Sequence, residues 1–184
     1  GRAWANASNT PFREFKHFTH QGGVMTPLIV RWPQGIPAER RGTLVKEFGF
    51  LPDVVATLLA AGGAERPTVV EGKAAPTVDG RSLIPVLAGA TIGGRGPLCI
   101  EHEGNRLVRD GRWKLVNFFE EEWELYDLEN DPTELRNIAK SQPEIVARLS
   151  AAYDAWASRV GARPWKEAQH FSVYPADGKY GIRR

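Results

Sequence analysis

Lys16, His17 and His20 fall within five residues of one another, immediately ahead of the Gly22-Gly23 pair. An ammonium group serves phosphate or sulfate as a point charge, and in a water-poor cleft it stabilises charge developing on a leaving oxygen. A histidine beside it adds a general acid or a metal ligand that works near neutral pH. Paired glycines let backbone come close to a ligand, and loops held by rigid scaffolds are where such groups are usually carried. The residues alone leave other readings open. Lys16 also fits a solvated position in a mixed Arg-Glu-Lys loop, His17 fits a surface or structural role, and His20 fits loop and site equally. Two histidines three apart, with no carboxylate at ligand spacing, make a weak metal pattern. Arg13 reads as a tie from this loop to a carboxylate.

A second polar knot is Glu101-His102-Glu103-Gly104-Asn105. Two glutamates around a histidine either raise its pKa or simply face solvent at a hairpin tip. His102 and Asn105 are the candidates it offers for substrate binding. Glu120-Glu121-Glu122 reads as a solvated charge run, and the acidic residues from Asp127 to Glu134 lack the ligand spacing of a calcium loop.

The elements that would position these groups follow from periodicity. Residues 1–23 show no regular period and predict irregular structure. Pro27 to Trp32 is a short apolar run between prolines, expected as a strand with both faces covered. Leu51, Val54, Val55, Leu58 and Leu59 recur at helical spacing before Gly62-Gly63, which predicts an amphipathic helix. Residues 63–96 read as a connector with a helical turn or two near Arg81 to Leu87.

Four short strands are expected over 97–102, 105–109, 112–116 and 123–128. Asp110-Gly111 predicts a two-residue type I′ hairpin turn, placing Val108 opposite Trp113 on a buried face and leaving Arg109, Arg112 and Lys114 on a wet one. Ser141 to Glu144 predicts a capping box, opening a helix with an apolar stripe of Ile145, Leu149, Ala152, Tyr153, Trp156 and Val160 that ends at Gly161. The stripe is expected to cover the sheet. Trp165, His170, Phe171, Tyr174 and Tyr180 read as an extended tail.

The 184 residues are 42% hydrophobic and 25% charged with a formal net charge of +2. That suffices for one domain or a domain plus a subdomain, and it lacks the broad basic face that binds a nucleic acid. The apolar runs fall short of the roughly 20 residues that cross a bilayer. Cys99 is the sole cysteine, so no intrachain disulfide forms, and Pro97 to Ile100 reads as a buried strand around it.

The segment from Asn9 to Gly23, followed by Pro27 to Pro33, resembles the type I sulfatases, in which a lysine stands a few residues before a Glu-Gly-Gly turn and contacts sulfate; Gln21 takes the glutamate position here. The Glu-His-Glu-Gly-Asn turn resembles that of bacterial arylsulfatase-like proteins. Asp79-Gly80-Arg81-Ser82-Leu83, Trp113-Lys114-Leu115 and the run from Glu124 to Glu134 add further anchors in the family's order.

The resemblance implies an α/β fold: the end of an alkaline-phosphatase-like domain over 1–90, then a C-terminal subdomain of antiparallel sheet and helix over 91–184. It implies hydrolysis of a sulfate ester on a small molecule or glycan, with Lys16 as the catalytic cation and His20, His102 and Asn105 near the substrate. A formylglycine nucleophile made from Cys or Ser in Cys/Ser-x-Pro-x-Arg, and a calcium ion held by acidic residues and asparagine, belong to the family. This sequence carries neither motif, so both are expected upstream. The chain alone is then expected to be inactive and prone to self-association. Periplasmic or secreted localisation follows by analogy. The competing expectations are a phosphodiesterase or phosphonate monoester hydrolase of the same superfamily, and a noncatalytic binding module.

Overall fold

The computed structural model describes residues 1–168, apart from Pro76 and Val78. Its elements, in chain order, are α1 (Arg2–Ser8), α2 (Gln21–Val24), α3 (Leu51–Ala61), β1 (Val69–Val70), β2 (Lys73–Ala74), α4 (Ile84–Leu87), β3 (Leu98–His102), β4 (Asn105–Asp110), β5 (Trp113–Asn117), β6 (Glu124–Asp127), α5 (Pro143–Val160) and α6 (Trp165–Ala168). No described helix is long and apolar enough to cross a membrane. Of the expected tail, only Trp165 is described, in α6, and His170 onward lies outside the described residues.

The described residues form two compact units: 1–27 with 95–168, and 28–94. That differs from the expected division at 90, because the first 27 residues pack with the C-terminal sheet.

In the first unit, β3, β4, β5 and β6 form an antiparallel sheet in sequence order. Val108 pairs with Leu115, Arg109 with Lys114 and Asp110 with Trp113, so the β4–β5 loop is Gly111-Arg112 and the expected pairing of Val108 with Trp113 is corrected. Only Gly111 takes positive φ there, at 58°, which belongs to a turn with glycine at the first central position. The turn with positive φ at both central positions is instead Glu103-Gly104, at 52° and 82°, closing the His102–Asn105 pair of β3 and β4.

Alternation along the strands creates two faces. Cys99, Val108, Leu115 and Leu125 pack on Leu149 and Tyr153 of α5, with Ile145, Val146 and Trp156 around them. Val160, expected on the stripe, is exposed. Pro143 occupies the first turn of α5 and Gly161 closes it in the left-handed conformation, but no side chain caps its N-terminus. The Ser141 hydroxyl donates to the Ile138 carbonyl instead, so the expected capping box does not form.

The second face is not wet. Leu107, Val116 and Tyr126 form a smaller core with Val24 packed against it, and Lys114 is fully buried. The cover is the loop from Asn9 to Val24.

In the second unit, α3 forms as expected. Asp53 Oδ2 accepts from the Phe50 amide and Oδ1 from the Arg81 amide, 2.8 Å each, and Thr57 Oγ1 accepts from the Leu83 amide at 2.8 Å. These bonds join the start of α3 to the segment before α4. Pro27 to Trp32 forms no strand, and Ile29 is 90% exposed. A strand needs neighbours for its amides and carbonyls, and no described segment supplies them.

Candidate functional site

The loop that carries Lys16 is locked from within by glycine. The Gly22 amide donates to the Arg13 carbonyl at 2.8 Å, and a Cβ at Gly22 would collide with the carbonyl oxygens of Arg13 and Glu14, while one at Gly23 would strike the Phe18 carbonyl. The glycines thus allow backbone to approach backbone, where the sequence suggested approach to a ligand.

Inward-facing side chains then fasten the loop to the sheet. Phe18 packs edge-on to Phe118 at 5.3 Å between ring centroids, and His20 stacks on Phe118 at 4.5 Å. His20 Nε2 donates to Glu124 Oε2 at 2.9 Å, and the Tyr126 hydroxyl donates to the same oxygen at 2.7 Å. Arg13 Nη1 donates to the Tyr126 hydroxyl at 2.6 Å and to the Glu134 carbonyl at 2.8 Å, and stands 3.8 Å from Glu124 Oε2. Arg13 is therefore the tie to a carboxylate that its type suggested. Burial alone would raise the Glu124 pKa, but the hydrogen bonds from His20 and Tyr126 and the charge of Arg13 hold it below the usual glutamate value. Burial and the hydrogen bond to Glu124 push the Tyr126 phenol up, so it stays protonated and donates.

One step along, Gln21 plugs a buried ion pair. Lys114 Nζ lies 2.6 Å from Glu134 Oε1 and donates to Gln21 Oε1 at 3.0 Å, while the Gln21 amide donates to Glu134 Oε2 at 2.7 Å. Burial pushes the Lys114 ammonium down to about 8, with Glu134 pulling the other way. Glu134 already balances that charge, so a neutral amide suits position 21 where the family resemblance leads one to expect glutamate.

Against this buried network Lys16 stands apart. It is exposed, with no ion-pair partner among the described residues. Next to it His17, at φ 110°, places Nδ1 2.7 Å from Glu103 Oε2 and its ring 5.6 Å from that of His102. Burial lowers the His17 pKa, Glu103 opposes this and His102 adds to it. Asn105 is buried: Nδ2 donates to the carbonyls of His102 at 3.0 Å and His17 at 3.3 Å, and Oδ1 accepts from the Phe119 amide at 3.3 Å.

The structure thus brings the Lys16–His17 segment together with His102 and Asn105 at one end of the sheet. His20 is not at that surface: it is fully buried and holds the loop down. Asn105 likewise works through backbone. Sequence reasoning weighed His17 and favoured a surface or structural role for it, and read Glu103 only as a neighbour of His102; what brings the two together is the spatial meeting of a loop and a turn more than 80 residues apart.

Comparison with known proteins agrees with this architecture. Residues 99–155 match the family described as N-sulphoglucosamine sulphohydrolase, C-terminal. Over 164 residues the chain is 32% identical to an uncharacterized sulfatase of Schizosaccharomyces pombe, covering 81% of this chain and 28% of that protein. The chain belongs to the sulfatase family. It corresponds to the C-terminal portion of a type I sulfatase.

An N-acetylgalactosamine-6-O-sulfatase of Bacteroides thetaiotaomicron is 27% identical over 164 residues, covering 80% of this chain and 30% of that enzyme. The solved structure of Ps i-CgsB matches with a TM-score of 0.69 at 23% identity, covering 85% of this chain and 34% of that one. The chain therefore spans less than a third of the two curated sulfatases. The expected fold class holds: mixed α/β, with a four-stranded antiparallel sheet and a long helix, in a fold shared with that solved structure.

Proposed function

We propose that this portion serves a sulfatase that hydrolyses sulfate esters, with the Lys16 ammonium contacting the sulfate group. The observation that carries the reading is the contrast between Lys16 and its loop. Around it Arg13, Phe18, His20 and Gln21 are tied to the sheet, so the loop is rigid, yet the lysine is exposed and unpaired among the described residues. A cation held on a fixed backbone costs little reorganisation when charge builds on an ester oxygen.

In hydrolysis the bond between sulfur and the alcohol oxygen breaks, water supplies the hydroxyl, and negative charge grows on the departing oxygen. Lys16 would stabilise a sulfate oxygen or that leaving oxygen. His102, exposed beside His17, would face the substrate, and Asn105 would hold the two backbones that carry these groups. A calcium ion, when bound in such an enzyme, offsets the charge of the sulfate. The one cluster of donors among the described residues, two imidazoles and one carboxylate, does not fit the six to eight oxygen ligands that calcium takes. The calcium ligands and a formylglycine nucleophile would therefore come from other parts of the sulfatase.

A sulfated small molecule or sulfated glycan is the substrate class in this reading, supported by the Bacteroides relative whose name specifies a sulfated amino sugar. Export from the cytoplasm goes with it. The test is the intact sulfatase containing this sequence, assayed on an aryl sulfate and on the matching aryl phosphate and phosphonate monoesters. The sulfate ester is expected to react with the highest kcat/KM. A preference of tenfold or more for the phosphorus esters would replace this reading with a phosphonate monoester hydrolase.

A further inference from the structure

Beside the lysine, the structure assembles one set of donors, in which His102 of the proposed substrate surface meets two groups that the hydrolysis does not use, His17 and Glu103. His17, His102 and Glu103 each offer one ligand atom, and the three atoms lie within 4.8 Å of one another. None of the three is buried, so an ion could reach them from solvent.

Their placement is imposed by surrounding backbone. Glu103 is held at φ 52° as the first central residue of the β3–β4 turn, and Gly104 after it donates its amide to Glu101 Oε1 at 2.6 Å. His17 is held at φ 110°, in a region that a residue with a Cβ occupies only when its surroundings over-determine it. Phe18 against its ring at 4.9 Å and the Asn105 amide on its carbonyl supply that constraint. Asn105 bonds both histidine carbonyls, so it fixes the distance between the segments that carry the imidazoles.

We propose that His17, His102 and Glu103 form a binding site for a divalent transition cation of the zinc class. Two imidazoles and one carboxylate are a donor set that zinc takes, leaving a fourth position for water or an exogenous ligand. Ligand bonds of 2.0–2.1 Å in a tetrahedron place donors about 3.3 Å apart. The present His17 Nδ1 to Glu103 Oε2 separation of 2.7 Å must open slightly, and since all three donor atoms lie within 4.8 Å of one another, His102 has at most about 1.5 Å to close by side-chain rotation. The ion would take the place of the direct contact between His17 Nδ1 and Glu103 Oε2. The site shares His102 with the proposed substrate surface, but its test reads metal binding by the chain and needs no sulfatase activity.

The test uses the 184-residue chain with zinc alone by titration calorimetry, and with cobalt(II) as a spectroscopic stand-in. One zinc per chain is expected, and cobalt is expected to give the visible absorption of a four- or five-coordinate ion. H102A and E103Q should each weaken zinc binding at least tenfold without shifting the melting temperature of the metal-free chain, because both side chains sit at the turn's surface. The chain has four histidines; His20 is buried, and H170A should leave binding unchanged. Absence of zinc binding by the parent chain at micromolar concentrations would overturn the site. So would affinity that survives both H102A and E103Q, or that disappears in H170A.

Discussion

Lys114 Nζ and Glu134 Oε1 stand 2.6 Å apart with both side chains out of contact with solvent, and Gln21 of the Lys16 loop closes over them through its amide and its side-chain oxygen. The pair joins a central strand, the segment after β6 and the loop at one point. Removing one partner strands the other charge in the interior, which costs about 3–5 kcal/mol. E134Q should therefore lower the stability of the chain by that order in denaturant unfolding. The double variant K114M/E134L should lose less than the sum of the two single variants, because no charge is then left unpaired.

Acid should loosen the loop before it unfolds the sheet. Glu124 titrates below the usual glutamate value in the folded chain, whereas the unfolded chain has an ordinary carboxyl. Between the two values the unfolded state binds more protons, so stability rises with pH there. The contribution is complete above the ordinary glutamate pKa and is lost as pH falls through the folded one. Amide exchange of residues 13–23 should accelerate over that acid window, while the amides of β4 and β5 stay protected. E124Q should remove the step, with fast exchange already present at neutral pH.

Gly22 has no room for a side chain beside the Arg13 and Glu14 carbonyls. G22A should cost about 1–3 kcal/mol, the usual size of an overpacking penalty, and should free the Lys16 loop. Limited proteolysis would find new cleavage between residues 13 and 24, with β3 to β6 intact.

Much of the C-terminal unit was legible in the sequence. The four strands and α5 appear within a residue or two of their expected bounds, since alternating apolar residues, tight turns and Gly161 are local signals. Cys99 is buried as expected. Lys114 misled because a lone lysine on an alternating strand looks solvated, and its carboxylate partner is 20 residues away in a segment without strand pattern. The cover of the second face was not readable for the same reason: Arg13 meets Tyr126 across 113 residues. Pro27 to Trp32 has strand composition but no described partner to hydrogen-bond with, so composition alone could not make it a strand. In the candidate site Lys16 and His102 were legible as types in polar turns, while the buried roles of His20 and Asn105 depend on what packs above them.

The central claim is that the exposed ammonium of Lys16 acts on the sulfate ester while its loop serves only to hold it. The most direct measurement is kcat of K16A in the intact sulfatase on an aryl sulfate, alongside its melting temperature. Loss of a preorganised donor lowers kcat by about 10²–10³, and an exposed side chain should leave the melting temperature unchanged. A K16A enzyme that keeps kcat within twofold of the parent would contradict the account.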